Sequence, residues 1–110
     1  LTTTAISLKG RQRDFGPRLE WAPDIVYVGR QCTQGGWRLP ASQFANPFRA
    51  QRVGGAAKAV ALYREWLRGR PELVAVARVA LRGKRLGCWC ASGMACHARV
   101  LAEIADGAQP

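Results

Sequence analysis

Three of the chain's four cysteines and its single histidine fall within one short stretch, Gly87-Cys88-Trp89-Cys90 followed by residues 91–95 and Cys96-His97. Thiol and imidazole are the side chains best suited to hold a metal or to act as nucleophile and proton carrier near neutral pH. Three chemistries are open to this group. Cys88, Cys90, Cys96 and His97 could bind zinc, which takes four soft or borderline donors in a tetrahedron. Their spacing, Cys-x-Cys and then Cys-His after five residues, departs from the two-residue knuckles of common zinc sites, and Cys32 could replace one ligand. The expectation is therefore no cofactor, with zinc as the alternative. A catalytic or ligand-binding pocket is the second chemistry, with Cys96 as nucleophile or acid/base and His97 as its proton partner. The third is purely structural, because free cysteine packs well as a small hydrophobe.

The elements that must position these residues follow from the pattern around them. Side chains alternate along a strand, so a strand over Arg85 to Cys90 puts Leu86, Cys88 and Cys90 on one face and Trp89 on the other. The chain then turns through Ala91-Ser92-Gly93-Met94 and enters a helix at about Cys96 that runs to Ala105. Such a junction at the carboxyl end of a strand is where open α/β sheets bind ligands. Free N–H groups in the first helical turn favour anions and thiolates, which singles out Cys96. His97 shares a helical face with Val100, Leu101 and Ile104 and so faces the strand end.

Elsewhere, Thr4 to Leu8 alternates as a half-buried strand, and Arg11 to Pro23 reads as a connecting loop. The apolar run Ile25 to Val28, ended by Gly29, predicts a strand covered on both faces and central in its sheet. From Arg30 to Gly55 no period is visible, and Trp37, Phe44 and Phe48 read as anchors for a long loop. Ala56 to Arg68 is an amphipathic helix with Ala59, Leu62, Tyr63, Trp66 and Leu67 on one face. Gly69 ends it, and Pro71 opens a second helix whose stripe is Leu73, Val76, Ala77 and Ala80. This order predicts a small single-domain α/β fold resembling a Rossmann fragment, with about three partly parallel strands and about three packed helices. Ile25–Val28 and Leu86–Cys90 are the expected parallel neighbours. Residues 1–24 form an N-terminal strand and loop of that domain, 25–106 its core and 107–110 a tail.

A chain of 110 residues suits one domain, and 48% hydrophobic content marks a folding sequence. It has neither an apolar run near the roughly 20 residues of a membrane span nor an apolar N-terminal stretch, so a cytoplasmic protein without membrane contact is expected. Crowded cysteines suggest reduced thiols rather than a disulfide framework. The net charge of +10, from seventeen basic against seven acidic residues, favours polyanionic partners. Arginines nevertheless occur along the whole length, whereas a nucleic-acid footprint requires one clustered face.

The segments Val26-Tyr27-Val28-Gly29-Arg30, Phe44-Ala45-Asn46-Pro47-Phe48, Ala61 to Leu67, and Leu81 to Cys90 through Cys96-His97 to Leu101 resemble the domain-of-unknown-function 4326 family. That family is found largely in bacteria and phages. The match covers about Ile25 to Ile104, with the Cys-Trp-Cys and Cys-His ending as its most specific part and Gln31 to Gln43 as a longer insertion. No activity comes with the family. The resemblance does imply that Gly29-Arg30 and Asn46-Pro47-Phe48 belong to one pattern with the cysteine cluster. Parallel strands would bring Gly29-Arg30 and Cys90 to the same sheet edge, so that Arg30, Asn46, Arg49, Cys88, Cys90, Cys96 and His97 surround one pocket. There the arginines would hold phosphate or carboxylate, and Asn46 would read a polar edge such as that of a base. The expected function is binding, with hydrolysis or transfer as a further step, of a phosphate-bearing nucleotide or nucleoside derivative. The alternative is a nucleic-acid-binding accessory protein with structural zinc.

Overall fold

The three strand signals assemble into one sheet in which both pairs run parallel. The structure, a computed structural model, describes residues 2–90 and 95–110; the turn expected through Ala91 to Met94 lies outside the described residues. Strands β1 (Thr4–Ser7), β2 (Ile25–Tyr27) and β3 (Arg85–Cys88) take the order β1-β3-β2. Tyr27 and Ile6 both sit opposite Gly87. The cysteine strand is therefore the central one, and the Ile25 strand, expected at the centre, is an edge. An apolar run reports that both faces are covered, which is a separate matter from having a neighbour on both sides. Val26 and Val28 of the β2 segment pack on one face of the sheet, and Ile25 and Tyr27 on the other. At the true centre Gly87 lets Leu8 close in, since a Cβ there would stand 2.9 Å from the Leu8 side chain.

Helices α3 (Ala56–Arg68), α4 (Pro71–Ala80) and α5 (His97–Ala105) cover one face of the sheet, packing on Val28, Leu86 and Cys88. The opposite face carries a second cluster of Leu8, Phe15, Leu19, Ile25, Trp37 and Leu39, with Trp89 against it. Its cover comes from segments expected to be loops. Arg11 to Pro23 contains helix α1 (Gln12–Phe15), and Arg30 to Gly55 contains a 3-10 turn at Gln34–Gly36, a Cys32–Leu39 bridge and helix α2 (Ala50–Val53). Three long helices match the expectation, and two single-turn ones add to them. A single turn is too short to show a helical period.

Within α3 the expected stripe holds, with Ala59, Tyr63 and Leu67 buried. The stripe of α4 is rotated: Val74 and Ala77 are buried, while Val76 and Ala80 are exposed. The cause is Leu81 just beyond the helix, fully buried, which extends the inward line from Val74 through Ala77. Asp106 then clasps the two ends of the domain, accepting from the Thr3 N–H at 3.1 Å and the Thr3 hydroxyl at 2.7 Å. Among the described residues no helix is long and apolar enough to cross a membrane.

Candidate functional site

Because β2 and β3 run parallel, their carboxyl ends open on the same side of the sheet, and a hollow of about 210 Å³ lies there. Its walls come from the strand tips (Tyr27, Gly29, Arg30, Trp89, Cys90), the loop before α2 (Asn46, Phe48), the first turn of α3 (Ala56, Ala59, Val60) and the start of α5 (Ala95, Cys96, His97). Of the seven residues expected around one pocket, Arg30, Asn46, Cys90, Cys96 and His97 line it. Cys88 sits behind the wall, buried among core residues, with its sulfur joined to those of Cys90 and Cys96. Arg49 is not in the lining; it caps the start of α2 from an exposed position.

A relay of polar contacts fixes the strand tip. Trp89 Nε1–H donates to the Tyr27 hydroxyl at 2.9 Å, and that hydroxyl donates to the Arg30 carbonyl. The indole stands edge-on to both Tyr27 and Trp37. Tyr27 crowds Gly29, where an added Cβ would stand 2.5 Å from the hydroxyl oxygen. Arg30 in turn donates to the Asn46 carbonyl at 2.6 Å. Asn46 is buried and has both ends of its amide engaged: Nδ2 donates to the Ala59 carbonyl at 3.2 Å, and Oδ1 accepts from the Phe48 N–H at 2.9 Å. It therefore ties the loop to α3. Tyr63 anchors the same loop by donating to the Phe44 carbonyl at 2.6 Å. Tyr27, Tyr63 and Trp89 were not among the expected site residues; the signal for them was an aromatic ring with a polar handle inside an apolar run.

The sulfurs form a compact trio, with the Sγ atoms of Cys88, Cys90 and Cys96 all within 4.8 Å of one another. Cys96 is the N-cap of α5 in extended conformation (φ −149, ψ 133), so it projects independently of the helical His97. Hydrogen bonds from the Cys88 and Cys90 thiols, then His97 and the Ala98 N–H, hold the Cys96 thiol well below its ordinary range despite burial. Cys90 is pushed far up by Cys88, Cys96 and burial. For Cys88 the hydrogen bond with Cys90 pulls downward, but the Cys96 sulfur and burial outweigh it, and the thiol rises. Of the three, Cys96 is the thiol whose surroundings favour the thiolate.

His97 places Nε2 2.7 Å from the Val28 carbonyl. A carbonyl only accepts, so that nitrogen carries a hydrogen. The ring packs edge-on to Tyr63 and does not join the sulfurs as a ligand. Cys32 belongs to the opposite face of the sheet, next to the Trp37 and Leu39 cluster. The four-ligand set read from the sequence therefore reduces, among the described residues, to three thiols that could hold a metal ion.

Apart from the thiol wall, the polar surroundings of the hollow lean positive. At the start of α3, capped by Gly55, no side chain takes up the first N–H groups, whereas at α5 the N-cap Cys96 sulfur engages the Ala98 N–H. Burial and the nearby charge of Arg49 lower the Arg30 pKa. Neither arginine takes part in a salt bridge among the described residues, and no carboxylate lines the hollow.

Fold and site together define a small parallel α/β domain with a thiol-rich central strand tip beside a hollow bordered by Arg30 and two helix starts. The chain belongs to the domain of unknown function family DUF4326, whose family model matches residues 12–107. It is similar to an uncharacterized protein, R718, of Acanthamoeba polyphaga mimivirus, with 34% identity over 86 residues. The aligned part covers 72% of this chain and 65% of that relative's length. No solved structure matches.

Proposed function

We propose that the hollow binds a small phosphate-bearing molecule of the nucleotide or nucleoside-derivative class. One observation carries this reading: the first turns of α3 and α5 and the Arg30 guanidinium all border the same cavity. Each helix start carries about half a positive charge, and that of α3 presents N–H groups that no side chain takes up. Arg30 keeps donors beyond the one given to Asn46, in the planar fork that suits phosphate. Its repulsion from Arg49 is relieved when an anion arrives. Tyr27, Phe48 and Trp89 supply aromatic surface for a base. At about 210 Å³ the cavity is smaller than the roughly 300–1,000 Å³ of drug-sized sites, which favours one base or one sugar phosphate over a dinucleotide. Calorimetric titration with nucleoside monophosphates and inorganic phosphate tests this. Loss of a charge-assisted hydrogen bond is worth about 1.5–3 kcal/mol, so Arg30→Ala should weaken binding tenfold or more. Equal affinity in the variant, or no binding by the wild type, contradicts the reading.

Zinc at Cys88, Cys90 and Cys96 belongs to the same proposal, favoured by the mutual closeness of three sulfurs. Tetrahedral zinc with Zn–S bonds of about 2.3 Å sets its sulfurs about 3.8 Å apart, a spacing compatible with sulfurs that lie within 4.8 Å of one another. A ligating Cys96 is not free to attack a substrate, so a nucleophilic Cys96 with His97 as proton partner belongs only to metal-free protein. Elemental analysis after purification without chelator should find close to one zinc per chain; a few tenths or less counts against it. Free thiols of this kind persist in a reducing compartment, and we place the protein in the cytoplasm on that ground.

A further inference from the structure

We propose that Cys88, Cys90 and Cys96 form an open three-thiolate metal centre whose fourth position faces the hollow, where water is exchanged for a donor atom of the bound molecule. The inference rests on the ligand reading above and deepens it, by asking what completes the coordination shell.

The three sulfurs approach from different sides. Cys88 comes from the last position of the central strand and is buried in the core, while Cys90 and Cys96 form part of the cavity wall. An ion held by all three therefore lies between core and cavity, and the side away from Cys88 is the cavity side. No fourth protein ligand stands there among the described residues. His97, the chain's only imidazole, is outside the sulfur group and donates from Nε2 to the Val28 carbonyl. Cys32 is across the sheet, and no carboxylate lines the hollow. Structural zinc sites close their tetrahedron with four protein ligands, whereas a site with three protein ligands leaves one position for water or substrate. Here the space next to that position is a cavity of about 210 Å³ bordered by Arg30 and two helix starts. A molecule whose phosphate sits at Arg30 could thus present a nitrogen, oxygen or sulfur donor to the ion. The exchange is a simple substitution in which one water leaves as one donor enters, with no change in oxidation state.

Cobalt(II) reports this geometry directly. The full chain, stripped of metal and reconstituted, should take up one cobalt per chain with the sulfur-to-cobalt charge transfer of three thiolates. Azide, a small anionic probe, should shift the ligand-field bands and leave the charge transfer in place. His97→Ala should retain both the stoichiometry and the azide response, and so should Met94→Leu. Overturning results are no stoichiometric cobalt, bands indifferent to azide, or an azide response created only by removing His97 or Met94, which would reveal a closed shell. The two proposals fail separately. An azide shift with no binding of nucleoside monophosphates or inorganic phosphate sinks the ligand reading alone, and monophosphate binding by protein that takes up no cobalt sinks the open metal centre alone.

Discussion

Cys90 is the more accessible of the two cysteines in the hollow's wall, and Cys96 is the one whose hydrogen bonds favour the thiolate. In metal-free protein these properties favour different orders of reaction with iodoacetamide. The thiolate is the nucleophile, so Cys96 should be carboxymethylated before Cys90 at pH 7, as peptide mapping would show. Labelling of Cys90 first would mean that exposure governs and that the thiolate is not favoured at Cys96. The same scale explains what the sequence could and could not convey about Asn46. Its place beside the cluster was legible from the Asn-Pro-Phe pattern. Its role was not, because both amide ends are occupied by Ala59 and Phe48, and the Ala59 contact appears only once α3 has packed. His97 was likewise legible as inward-facing through Val100, Leu101 and Ile104, but the Val28 carbonyl that fixes its Nε2 lies 69 residues earlier, just past β2.

The elements carry their own constraints, and the strictest is the central strand. Gly87 faces fully buried Leu8, so Gly87→Ala drives a methyl into a side chain with no room to retreat. Overpacking of this kind costs about 1–3 kcal/mol, and the urea midpoint should fall accordingly. An unchanged midpoint would show that β1 can shift away from β3. The clasp between α5 and β1 adds a pH dependence. Hydrogen bonds from Thr3 hold the Asp106 carboxyl below its ordinary value of 3.8. A carboxyl depressed by folding stabilises the fold above its unfolded pKa, and that contribution disappears as pH falls through the folded value. Wild type should therefore lose stability relative to Asp106→Asn below about pH 4, measured by acid unfolding of both; parallel curves would contradict it. Neither element was fully legible in advance. The helical periods of α3 and α5 could be read from apolar spacing, and the parallel pairing of β2 with β3 from the helices that separate them in sequence. The order of strands could not, since the apolar Ile25 run records covered faces and Gly87 gives no hydrophobic signal for centrality.

For the molecule as a whole, the question is what the large basic excess does. Part of it is structural. Arg78 donates to the carbonyls of Ile104 and Ala108, Arg82 to Ala105 and Arg68 to Pro110, so three guanidiniums gather at the negative end of α5 and the tail beyond it. Arg11, Arg64 and Arg85 pair with carboxylates. Arg30 and Arg49, at the far end of the sheet from that cluster's helix terminus, have no carboxylate partner among the described residues, and in the proposed function Arg30 meets an anion in the hollow. Amide chemical-shift mapping of the full chain during titration with nucleoside monophosphates tests this most directly. Saturable shifts are predicted at Gly29, Arg30, Asn46, Phe48 and Ala95 to Ala98, with little change elsewhere. Shifts spread over Arg68, Arg78, Arg82 and the C-terminal tail, or none at millimolar ligand, would contradict it.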